Sequence, residues 1–551
     1  MATAAGPVAP DGSAAGGAGA APAAGGAGAA PAAGGAGAAP AAEGWVPVGV
    51  ERGWDAEVVV VGAGPVGLAI AVLLAGRGRR VTVLERRRQP YPLPRAVHLD
   101  DEASRILQAC GIGADLEAVT EPAPIYEWRD ATGRPLLRLG RPLDGPGGWP
   151  ASSMFHQPDV DALLASRAAL LGVELRRGVE VVGLDQDDGA VTVSSSAGPV
   201  RAPFVVACDG AGGTIASRLG IPVTDLDFTR DWLVVDVVPH ERWVLEPTNV
   251  QICDPARPTT AVSGGPGRRR FELMALPGED PDGLAGPART WELLAPFGLH
   301  PGNATLERHA IYSFAARFVE QWRRGRVLLA GDAAHQMPPF AGEGLCTGLR
   351  DAANLAWKLD LVLAGVAGDR LLDSYGVERS PGVRATVELS VELGRIVCVT
   401  DPAAAAERDA AMVAGAGAGA GAGPDPVAAP APPAIGEGVI ATGTPGAGET
   451  WVQGRVGGRR SDDVHGHGWR FVTTVPEAAA AVRDRLAAVD GRVVVLPAGG
   501  GRHATWLAER GVTSALVRPD FHVFGTATDP GGAEALLEAL RAQLDPRPVG
   551  A

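Results

Sequence analysis

The first strong pattern in the chain is a strand-like segment at 57–61 with four consecutive valines, followed by a glycine-rich turn and an apolar helical stretch at about 65–77. A second strand-like and largely apolar segment follows at 80–85 and ends in an acidic residue. Unbroken apolar runs of this length are typical of strands that are buried on both faces of a parallel sheet. The pattern therefore predicts a strand, a helix and a second strand, which together form one βαβ unit.

The pattern changes between about 228 and 274, where short strand-like runs are separated by polar loops. The segments WLVVDVV, TNVQIC and RRFELMAL have the length and the β-branched and aromatic content of strands in an antiparallel sheet. We expect this sheet to be inserted into the α/β body at about 226–310. After a further glycine-rich loop, the apolar spacing predicts helices at 346–364 and 383–397.

Two segments rich in Ala, Gly and Pro divide the chain. Residues 1–44 repeat the unit AAGGAGAAP, and residues 409–436 contain a run of alternating Ala and Gly. Neither segment has large side chains to bury, so we predict a disordered tail and a linker. They separate a main body at 54–405 from a C-terminal α/β domain at 437–546, in which strand-like and helical runs alternate.

Length, composition and charge limit the classes of partner. With 551 residues and 46% hydrophobic residues, the chain is long enough to form more than one core. Its formal net charge of -14 argues against nucleic acid and anionic membranes as partners, because both require a basic surface. No apolar run reaches the roughly 18–20 residues that cross a bilayer, and the N-terminus lacks a signal-peptide pattern. We predict a cytoplasmic protein, with a homodimer as one expectation for its assembly.

The five cysteines are widely spaced, and no two of them form a Cys-x-x-Cys pair. We therefore expect reduced and mostly buried thiols, and we predict neither a disulfide framework nor a metal site. The C-terminal domain contains no cysteine, which excludes dithiol redox chemistry there.

The glycines of the first turn, in the segment GAGPVG, are spaced as in dinucleotide-binding proteins. Gly62 permits a tight turn, Gly64 lets a pyrophosphate approach the backbone, and Gly67 lets the helix pack on the strand. The N–H groups and the dipole of the helix N-terminus attract phosphate. Glu85, at the end of the second strand, is placed to accept hydrogen bonds from ribose hydroxyl groups. The motif predicts nucleotide binding, but FAD and NAD satisfy it equally well.

Two further glycine-containing segments follow strand-like runs. In VVACDGAGG, Asp209 follows a strand, and by itself this segment is equally consistent with an aspartate that caps a helix. In GRVLLAGDAAHQMPPFAGEGLC, a buried strand leads to Gly331 and Asp332, and Gly342 and Gly344 precede a helix. Asp332 is placed to bind a ribityl hydroxyl group, and the helix start would stabilise the negative charge of a reduced flavin.

Taken together and in this order, GAGPVG with Glu85, CDG and GDAAHQMPP resemble the single-component FAD-dependent aromatic hydroxylases. These are the group A flavoprotein monooxygenases of the p-hydroxybenzoate hydroxylase fold, and the similarity covers about residues 55–400. The segments PRAVHLDDEASRILQACGI, GWPASSMFHQPDVDALL and RRFELMALPGE are most similar to those of 3-(3-hydroxyphenyl)propionate hydroxylases. The segment ALVRPDFHVFG is similar to the end of the thioredoxin-like domain that many members of the family carry.

The resemblance implies an α/β fold with an α+β insert: a Rossmann-like FAD-binding domain, an inserted antiparallel substrate sheet and a thioredoxin-like C-terminal domain without redox cysteines. It implies FAD as cofactor, NADH or NADPH as transient co-substrate, and O₂ as oxidant. The reaction would hydroxylate a phenolic ring through a flavin C4a-hydroperoxide, with a 3-(3-hydroxyphenyl)propionate-like aromatic acid as substrate. The alternative is hydroxylation or epoxidation of a polyketide or another natural-product aromatic compound.

The resemblance also assigns residues to the cofactor. Arg95 would contact the FAD phosphates, Gln157 would lie beside the cofactor, and Asp209 would lie near the pyrophosphate and the nicotinamide channel. The predicted cofactor-binding residues are Gly62, Gly64, Pro65, Val66, Gly67, Glu85, Arg86, Arg95, Gln157, Asp209, Gly331, Asp332, Pro339, Gly342, Gly344, Leu345 and Cys346.

No catalytic base follows from the sequence. His98, His335 and Arg270 are weak candidates, because the histidines more often pack or anchor a loop and the arginine equally fits a charged turn. Arg270 could instead pair with a carboxylate of the substrate. Where the family often has Gly-Gln-Gly-x-Asn, this chain has Gly-Glu-Gly-Leu-Cys at 342–346. The negative charge of Glu343 would then lie close to a reduced flavin unless the side chain faces solvent.

Overall fold

The structure, a computed structural model, describes residues 53–241, 243, 248–418, 427–428, 434–497, 499 and 501–544. The predicted tail at 1–44 and most of the predicted linker at 409–436 lie outside the described residues. Among the residues that are described, no helix combines the length and apolarity needed to cross a membrane.

Six strands of the described chain form a mainly parallel sheet around the strand Val58–Val61. This strand pairs in parallel with Phe204–Ala207 on one side and with Val81–Glu85 on the other. All four of its residues are buried, which explains its unbroken apolar sequence. Across the sheet the strands are Arg323–Arg324, Val327–Leu329, Phe204–Ala207, Val58–Val61, Val81–Glu85 and Glu174–Arg177. The two strands of the predicted βαβ unit are therefore neighbours in this sheet.

Two long helices accompany this sheet. Gly344–Leu363 packs against Pro65–Ala75, and Asp373–Val397 begins earlier than the predicted residue 383 and includes Pro381. Its first turns bury large side chains, so tertiary packing outweighs the hydrogen bond that proline removes from the helix. The described helices are Pro65–Ala75, Asp101–Leu107, Gly113–Val119, Gln157–Leu170, Ile215–Arg218, Pro281–Leu284, Pro287–Leu294, Gly344–Leu363, Asp373–Val397, Pro402–Ala418, Ser461–His465, Pro476–Leu486, Gly501–Glu509 and Pro530–Leu544.

Nine strands within the described ranges form a second, largely antiparallel sheet. Its longest strands, Val223–Pro239 and Ala304–Val319, pair along most of their length. Two strands that precede the predicted insert in sequence, Ile125–Arg129 and Pro135–Gly140, extend this sheet. In order, the strands are His335–Gln336, Ala304–Val319, Val223–Pro239, Arg269–Met274, Thr259–Ser263, Asn249–Ile252, Ile125–Arg129, Pro135–Gly140 and Val427–Ala428. The expectation of an antiparallel sheet inserted into an α/β body is confirmed.

Alternation along the strand Arg269–Met274 decides which side chains face the body. Phe271 and Leu273 pack into an apolar cluster on the outer side of the sheet, whereas Arg270 and Glu272 line a cavity on the inner side. Successive side chains of a strand point to opposite faces, so a polar residue at every second position produces one polar face.

Residues 434–544 contain a four-stranded mixed sheet that is covered by helices. Its strands, in order, are Arg492–Val495, Arg470–Thr473, Ser514–Val517 and Val523–Ala527. The alternation of strands and helices follows the predicted pattern, and the likeness to thioredoxin stays a prediction. The remaining described strands form small sheets: His98–Leu99, Thr120–Pro122, Ser153–Phe155, Val181–Gln186, Val191–Ser195, Gly198–Ala202, Arg455–Val456 and Arg459–Arg460.

A buried network of charges joins this C-terminal part to the helices of the body. Glu378 binds Arg518 at 2.6 Å and Lys358 at 2.8 Å, and Arg518 also binds Asp520 at 2.6 Å. These four side chains are almost completely shielded from solvent. Burial alone would raise the pKa of Glu378, but the charges of Arg518 and Lys358 hold it at about 2. The network therefore requires Glu378 in its ionised form.

We expect Glu378→Gln to destabilise the protein by about 3–5 kcal/mol, because it leaves buried cations without their shared partner. Chemical denaturation at neutral pH measures the loss. Glu388→Gln, at an exposed position of the same helix, is the matched control and should be nearly neutral.

The same carboxylate predicts a pH dependence. A folded-state pKa below the unfolded value contributes stability above the unfolded pKa, and this contribution is lost as the pH falls toward about 2. The wild type should therefore lose stability relative to Glu378→Gln on acidification from about pH 5. A constant difference between the two proteins across this range would contradict the ionised network.

Candidate active site

The glycine turn after Val58–Val61 is shaped by close contacts of its backbone. Gly62 has a φ of +107°, and a Cβ atom there would lie 2.2 Å from the carbonyl oxygen of Cys208. A Cβ atom on Gly67 would lie 2.1 Å from the carbonyl oxygen of Gly62. At Gly64, in contrast, no heavy atom lies within 4 Å of the Cβ position. Protein packing thus requires glycine at 62 and 67, whereas Gly64 leaves open space for a ligand.

Glu85 fixes this turn to the neighbouring strand. Its carboxylate accepts hydrogen bonds from the backbone N–H groups of Ala63 at 2.9 Å and Arg87 at 2.8 Å. The carboxylate oxygens keep further lone pairs for a ribose hydroxyl group. Arg86 is exposed beside it. The acidic residue therefore shapes the loop as well as being available to a nucleotide.

A cavity of about 520 Å³ separates the glycine turn from the nine-stranded sheet. The predicted cofactor residues that line it are Gly64, Pro65, Val66, Gly67, Arg95, Gln157, Asp332, Pro339, Gly342, Gly344 and Leu345. The predicted residues outside its lining are Gly62, Glu85, Arg86, Asp209, Gly331 and Cys346. Segments far apart in sequence therefore converge on one cavity.

Arg95 and Gln157 are brought together at the wall of this cavity. Gln157, at the start of the helix Gln157–Leu170, accepts hydrogen bonds from the backbone N–H groups of Arg95 at 3.0 Å and Ala96 at 2.9 Å. Its amide nitrogen donates to Asp161 at 3.2 Å. Gln157 thus holds the backbone that carries Arg95, whose guanidinium group lies 5.0 Å from the ring centre of Tyr91.

Asp209 holds the start of a short helix. One carboxylate oxygen accepts hydrogen bonds from the backbone N–H groups of Thr214 at 2.7 Å and Ile215 at 3.1 Å. The N-cap position of this helix is Thr214, so Asp209 binds the helix start from the preceding loop. Its neighbours Cys208 and Gly210 line the cavity, so the segment itself reaches the site.

The second glycine loop presents Asp332 to the cavity. The chain turns at Gly331, where φ is +60°, and the accessible surface of Asp332 faces the cavity. Among the described residues, none donates a hydrogen bond to this carboxylate. Desolvation by the surrounding protein raises its pKa above the ordinary value. Asp332 is therefore a free acceptor for a hydroxyl group of a ligand.

His335 anchors the same loop. Its Nε2 lies 2.7 Å from a carboxylate oxygen of Asp351, which also accepts the backbone N–H group of Gly331 at 3.0 Å. The other oxygen of Asp351 accepts from Arg379 at 2.8 Å. Burial would raise the pKa of Asp351, but His335 and Arg379 hold it below its usual value. The geometry supports the loop-anchoring interpretation of His335 over a role as base.

Glu343, the unusual acidic residue of the loop at 342–346, is paired with an arginine. Glu343 binds Arg350 at 3.2 Å, and Arg350 also binds Glu102 at 2.7 Å. Desolvation and the nearby charge of Asp100 raise the pKa of Glu343 to about 8. Glu343 is thus paired with Arg350 and is not among the residues that line the cavity.

His98 lines the cavity as a neutral side chain. Its Nδ1 donates to the carbonyl oxygen of Gly342 at 3.0 Å, and its Nε2 accepts from Arg141 at 3.2 Å. Burial and the charge of Arg141 lower its pKa to about 4. Both ring nitrogens are thus occupied, which argues against His98 as the base.

Arg270 is committed to structure. Its guanidinium group binds Asp236 through two hydrogen bonds, of 2.7 and 3.0 Å, and donates to the carbonyl oxygens of Pro94 at 2.8 Å and Arg95 at 2.7 Å. Arg308 donates to the same Pro94 oxygen. These bonds leave Arg270 little capacity for a substrate carboxylate, so the exposed charged turn considered for it is wrong and a structural role is favoured.

Several polar side chains of the cavity wall were not predicted from the sequence. They come from separate strands of the nine-stranded sheet and from the loop beside it: Tyr126, Arg141, Asn249, Thr260 and Glu272. The side-chain oxygen of Asn249 accepts a hydrogen bond from the backbone N–H group of Ser263 at 2.9 Å, so its side-chain N–H groups point away from this contact. Only the alternation in RRFELMAL, with its polar residues two positions apart, could have indicated Glu272.

His98, Glu343 and Cys346 lie close enough together for ligand atoms within 4.8 Å of one another, as in a metal site. The guanidinium groups of Arg141 and Arg350 already bind two of these side chains. Such cations disfavour a metal ion at this position.

The cavity fits FAD. The helix starts at Pro65 and Gly344 both lack a capping side chain, so their first N–H groups are free to bind phosphate and the electron-rich edge of a flavin. Asp332 offers the unpaired acceptor that a ribityl hydroxyl group requires. The open space at Gly64 lets a pyrophosphate approach the backbone.

Comparison with known proteins agrees with this geometry. Residues 55–390 match the family model described as FAD binding domain. A probable NADH-specific resorcinol 4-hydroxylase of Rhodococcus jostii is 38% identical over 89% of this chain and 96% of its own length. A 3-(3-hydroxy-phenyl)propionate/3-hydroxycinnamic acid hydroxylase of Mycolicibacterium smegmatis is 39% identical over 64% of this chain and 63% of its own length.

A solved structure is similar over nearly the whole chain. The ternary complex of aklavinone-11 hydroxylase with FAD and aklavinone has a TM-score of 0.73 and 25% identity, and covers 90% of this chain and 100% of its own. The fold and the site thus define an FAD-dependent flavoprotein. The chain belongs to the FAD binding domain family, and the predicted kinship with FAD-dependent aromatic hydroxylases is confirmed.

We expect Asp332→Ala to weaken FAD binding about 10- to 100-fold, because a charged acceptor of a ligand hydroxyl group is removed. The ratio of flavin to protein after gel filtration, measured by absorbance, tests this. Asp188→Ala, at an exposed position, is the control. Full retention of FAD by Asp332→Ala would contradict the assignment of this carboxylate.

Proposed function

We propose that the protein uses FAD, NADH and O₂ to hydroxylate a small phenol that carries a second substituent in the meta position. The observation that carries the proposal is the cavity between the cofactor loops and the nine-stranded sheet. Asp332 and two helix N-termini without a capping side chain lie on one side of it, and polar side chains of the sheet lie on the other. Resorcinol and 3-(3-hydroxyphenyl)propionate, the compounds in the names of the two relatives, are both meta-substituted phenols. NADH as reductant is supported by the name of the first relative.

Bound FAD supplies the redox chemistry: it takes hydride from the nicotinamide and activates O₂. The turn at Gly64, Arg95 and Asp332 would hold its phosphates and ribityl chain. The helix that begins at Gly344 would stabilise the negative charge that accompanies reduction, through N–H donors that do not titrate.

The wall opposite the cofactor loops combines apolar and polar side chains. The apolar ones on the nine-stranded sheet are Val234, Val262 and Phe314. They exclude water from the reacting centre and pack against an aromatic ring. The polar side chains between them can orient hydroxyl groups, which fixes the position of the ring that is attacked. This combination supports a phenol rather than an aliphatic substrate.

A second candidate is a larger natural-product aromatic compound, by hydroxylation or epoxidation. It is favoured by the similarity to the aklavinone-11 hydroxylase complex, which covers 90% of this chain and 100% of the other. The cavity must also accommodate the flavin ring, and this requirement favours the smaller phenols.

For the C-terminal domain at 437–546 we propose a structural role. The buried charges around Glu378 and Arg518 support it, as does the apolar cluster that Trp357 forms with Trp469 and Phe524. The thioredoxin-like identity of this domain, the homodimer and the cytoplasmic location stay predictions.

We expect resorcinol or 3-(3-hydroxyphenyl)propionate to stimulate aerobic NADH oxidation by the FAD-loaded protein, because productive binding couples reduction to ring hydroxylation. The measurement follows NADH absorbance, with hydrogen peroxide and hydroxylated product quantified in parallel. NADPH in place of NADH should give slower oxidation.

Stimulation with product and little peroxide would establish a small phenol as substrate. Absence of stimulation by either compound, in protein that retains FAD, would contradict the proposal. In that case stimulation by a polycyclic phenol such as aklavinone would identify the second candidate.

A further inference from the structure

Glu272 lies on the inner face of the nine-stranded sheet, in the wall of the cavity. It is 9% exposed, and its cross-strand neighbours Val234 and Thr260 line the same cavity. Two carboxylates are found among the described lining residues: Asp332, on the cofactor loop, and Glu272, on the sheet. Glu272 is therefore the acidic group of the wall opposite that loop.

The hydroxyl groups near Glu272 donate their hydrogen bonds to another residue. Thr260 donates to Oε1 of Gln251 at 2.7 Å, and Tyr126 donates to the same oxygen at 3.4 Å. Among the described residues, none donates a hydrogen bond to Glu272. A carboxylate normally accepts several hydrogen bonds when it is buried, so this one has acceptor capacity that the protein does not use.

The charges that face Glu272 come from three strands. Arg270 lies 3.8 Å away on its own strand, but its N–H groups are bound to Asp236 and to backbone carbonyl groups. Asp236 contributes a negative charge from the neighbouring strand Val223–Pro239, and Arg308 a positive charge from the strand beyond it, Ala304–Val319. Desolvation raises the pKa of Glu272, and Arg270 and Arg308 oppose this rise without removing it. A carboxylate with a raised pKa is a stronger proton acceptor than an exposed one.

We infer that Glu272 accepts the hydrogen bond, and in the reaction the proton, of the hydroxyl group on the phenolic substrate. This inference rests on the proposed function. The proton moves from the phenol oxygen to the Glu272 carboxylate, and the electron pair of the O–H bond stays on the oxygen. The resulting phenolate is more electron-rich at the ring carbons ortho and para to it, where an electrophilic oxygen attacks. The proton returns to solvent or to the product after turnover.

The other titratable candidates of the cavity are less suited to this step. His98 has both nitrogens occupied, and His335 is bound to Asp351. Asp332 lies on the cofactor loop, where FAD would use its acceptor. Tyr126 and Tyr312 both have their pKa raised by burial, and their hydroxyl groups bond to Gln251 and Tyr91, so both stay protonated.

The first test measures binding without turnover. Resorcinol and its dimethyl ether, 1,3-dimethoxybenzene, are titrated into the FAD-loaded protein while the flavin absorbance is followed. We expect Glu272→Gln to weaken resorcinol binding about tenfold or more, because the charged acceptor is lost. The affinity for 1,3-dimethoxybenzene, which has no hydroxyl proton, should stay unchanged. Glu307→Gln, at a partly exposed position outside the cavity lining where Glu307 binds Arg268, is the matched control.

The second test measures hydroxylation. We expect Glu272→Gln to retain FAD but to lower the rate of resorcinol hydroxylation about 100-fold, the usual contribution of a general base. In the wild type, kcat/KM should fall as the pH drops through the raised pKa of Glu272, because the protonated form cannot accept a proton. Glu272→Gln should lack this acidic decline, and Glu272→Asp should keep it at a reduced rate.

The outcomes separate this inference from the proposed function. If the wild type neither binds nor hydroxylates a phenol, the proposed function fails and the inference fails with it. If the wild type hydroxylates resorcinol and Glu272→Gln matches it in affinity, rate and pH profile, the inference alone is overturned. If Glu272→Gln loses FAD, the pH profile of Glu272→Asp becomes the test. A carboxylate with only a structural role would give no decline of kcat/KM at acidic pH, and that result would overturn the inference.

Discussion

The buried ion pair of Arg270 and Asp236 is the interaction on which the cavity depends. It lies inside the nine-stranded sheet, yet Arg270 also donates to the carbonyl oxygens of Pro94 and Arg95. The N–H group of Arg95 is in turn held by Gln157. One guanidinium group thus joins the sheet to the segment that lines the cofactor side. Loss of one partner of such a pair costs about 3–5 kcal/mol, because the other charge is left buried.

A second constraint is the control of charge around the cofactor loops. Burial lowers the pKa of His98 to about 4, and Glu343, whose pKa desolvation raises to about 8, is paired with Arg350. The donors that face the cavity from this side are therefore mainly backbone N–H groups at helix starts, whose dipoles do not depend on pH. A flavin changes its charge during reduction, and fixed dipoles can stabilise the reduced form without a compensating protonation. Glu272, on the opposite wall, is left as the group whose protonation can follow the substrate.

The C-terminal part is held by buried charges instead of covalent bonds. Glu378 connects a helix of the body to Arg518, and the described cysteines are free thiols. Apolar side chains of the body helix, such as Trp357, share a core with Trp469. This interface joins the two parts tightly, although each part keeps its own α/β pattern in the sequence.

The sequence by itself determined the features that depend on neighbouring residues. The turn at Gly62, the helix after it and the acidic residue at Glu85 lie within one βαβ unit, where local geometry and backbone sterics decide the outcome. The tertiary structure decided the features that join distant segments, such as the contact of His98 with Gly342 and that of Arg270 with Pro94. It also placed the short strands at 125–140 in the large sheet, because strand pairing between distant segments has no local signal. Glu272 depends on both levels. The alternation of the sequence determines which face of the sheet its side chain lies on, but only the packing shows that no described residue donates a hydrogen bond to its carboxylate.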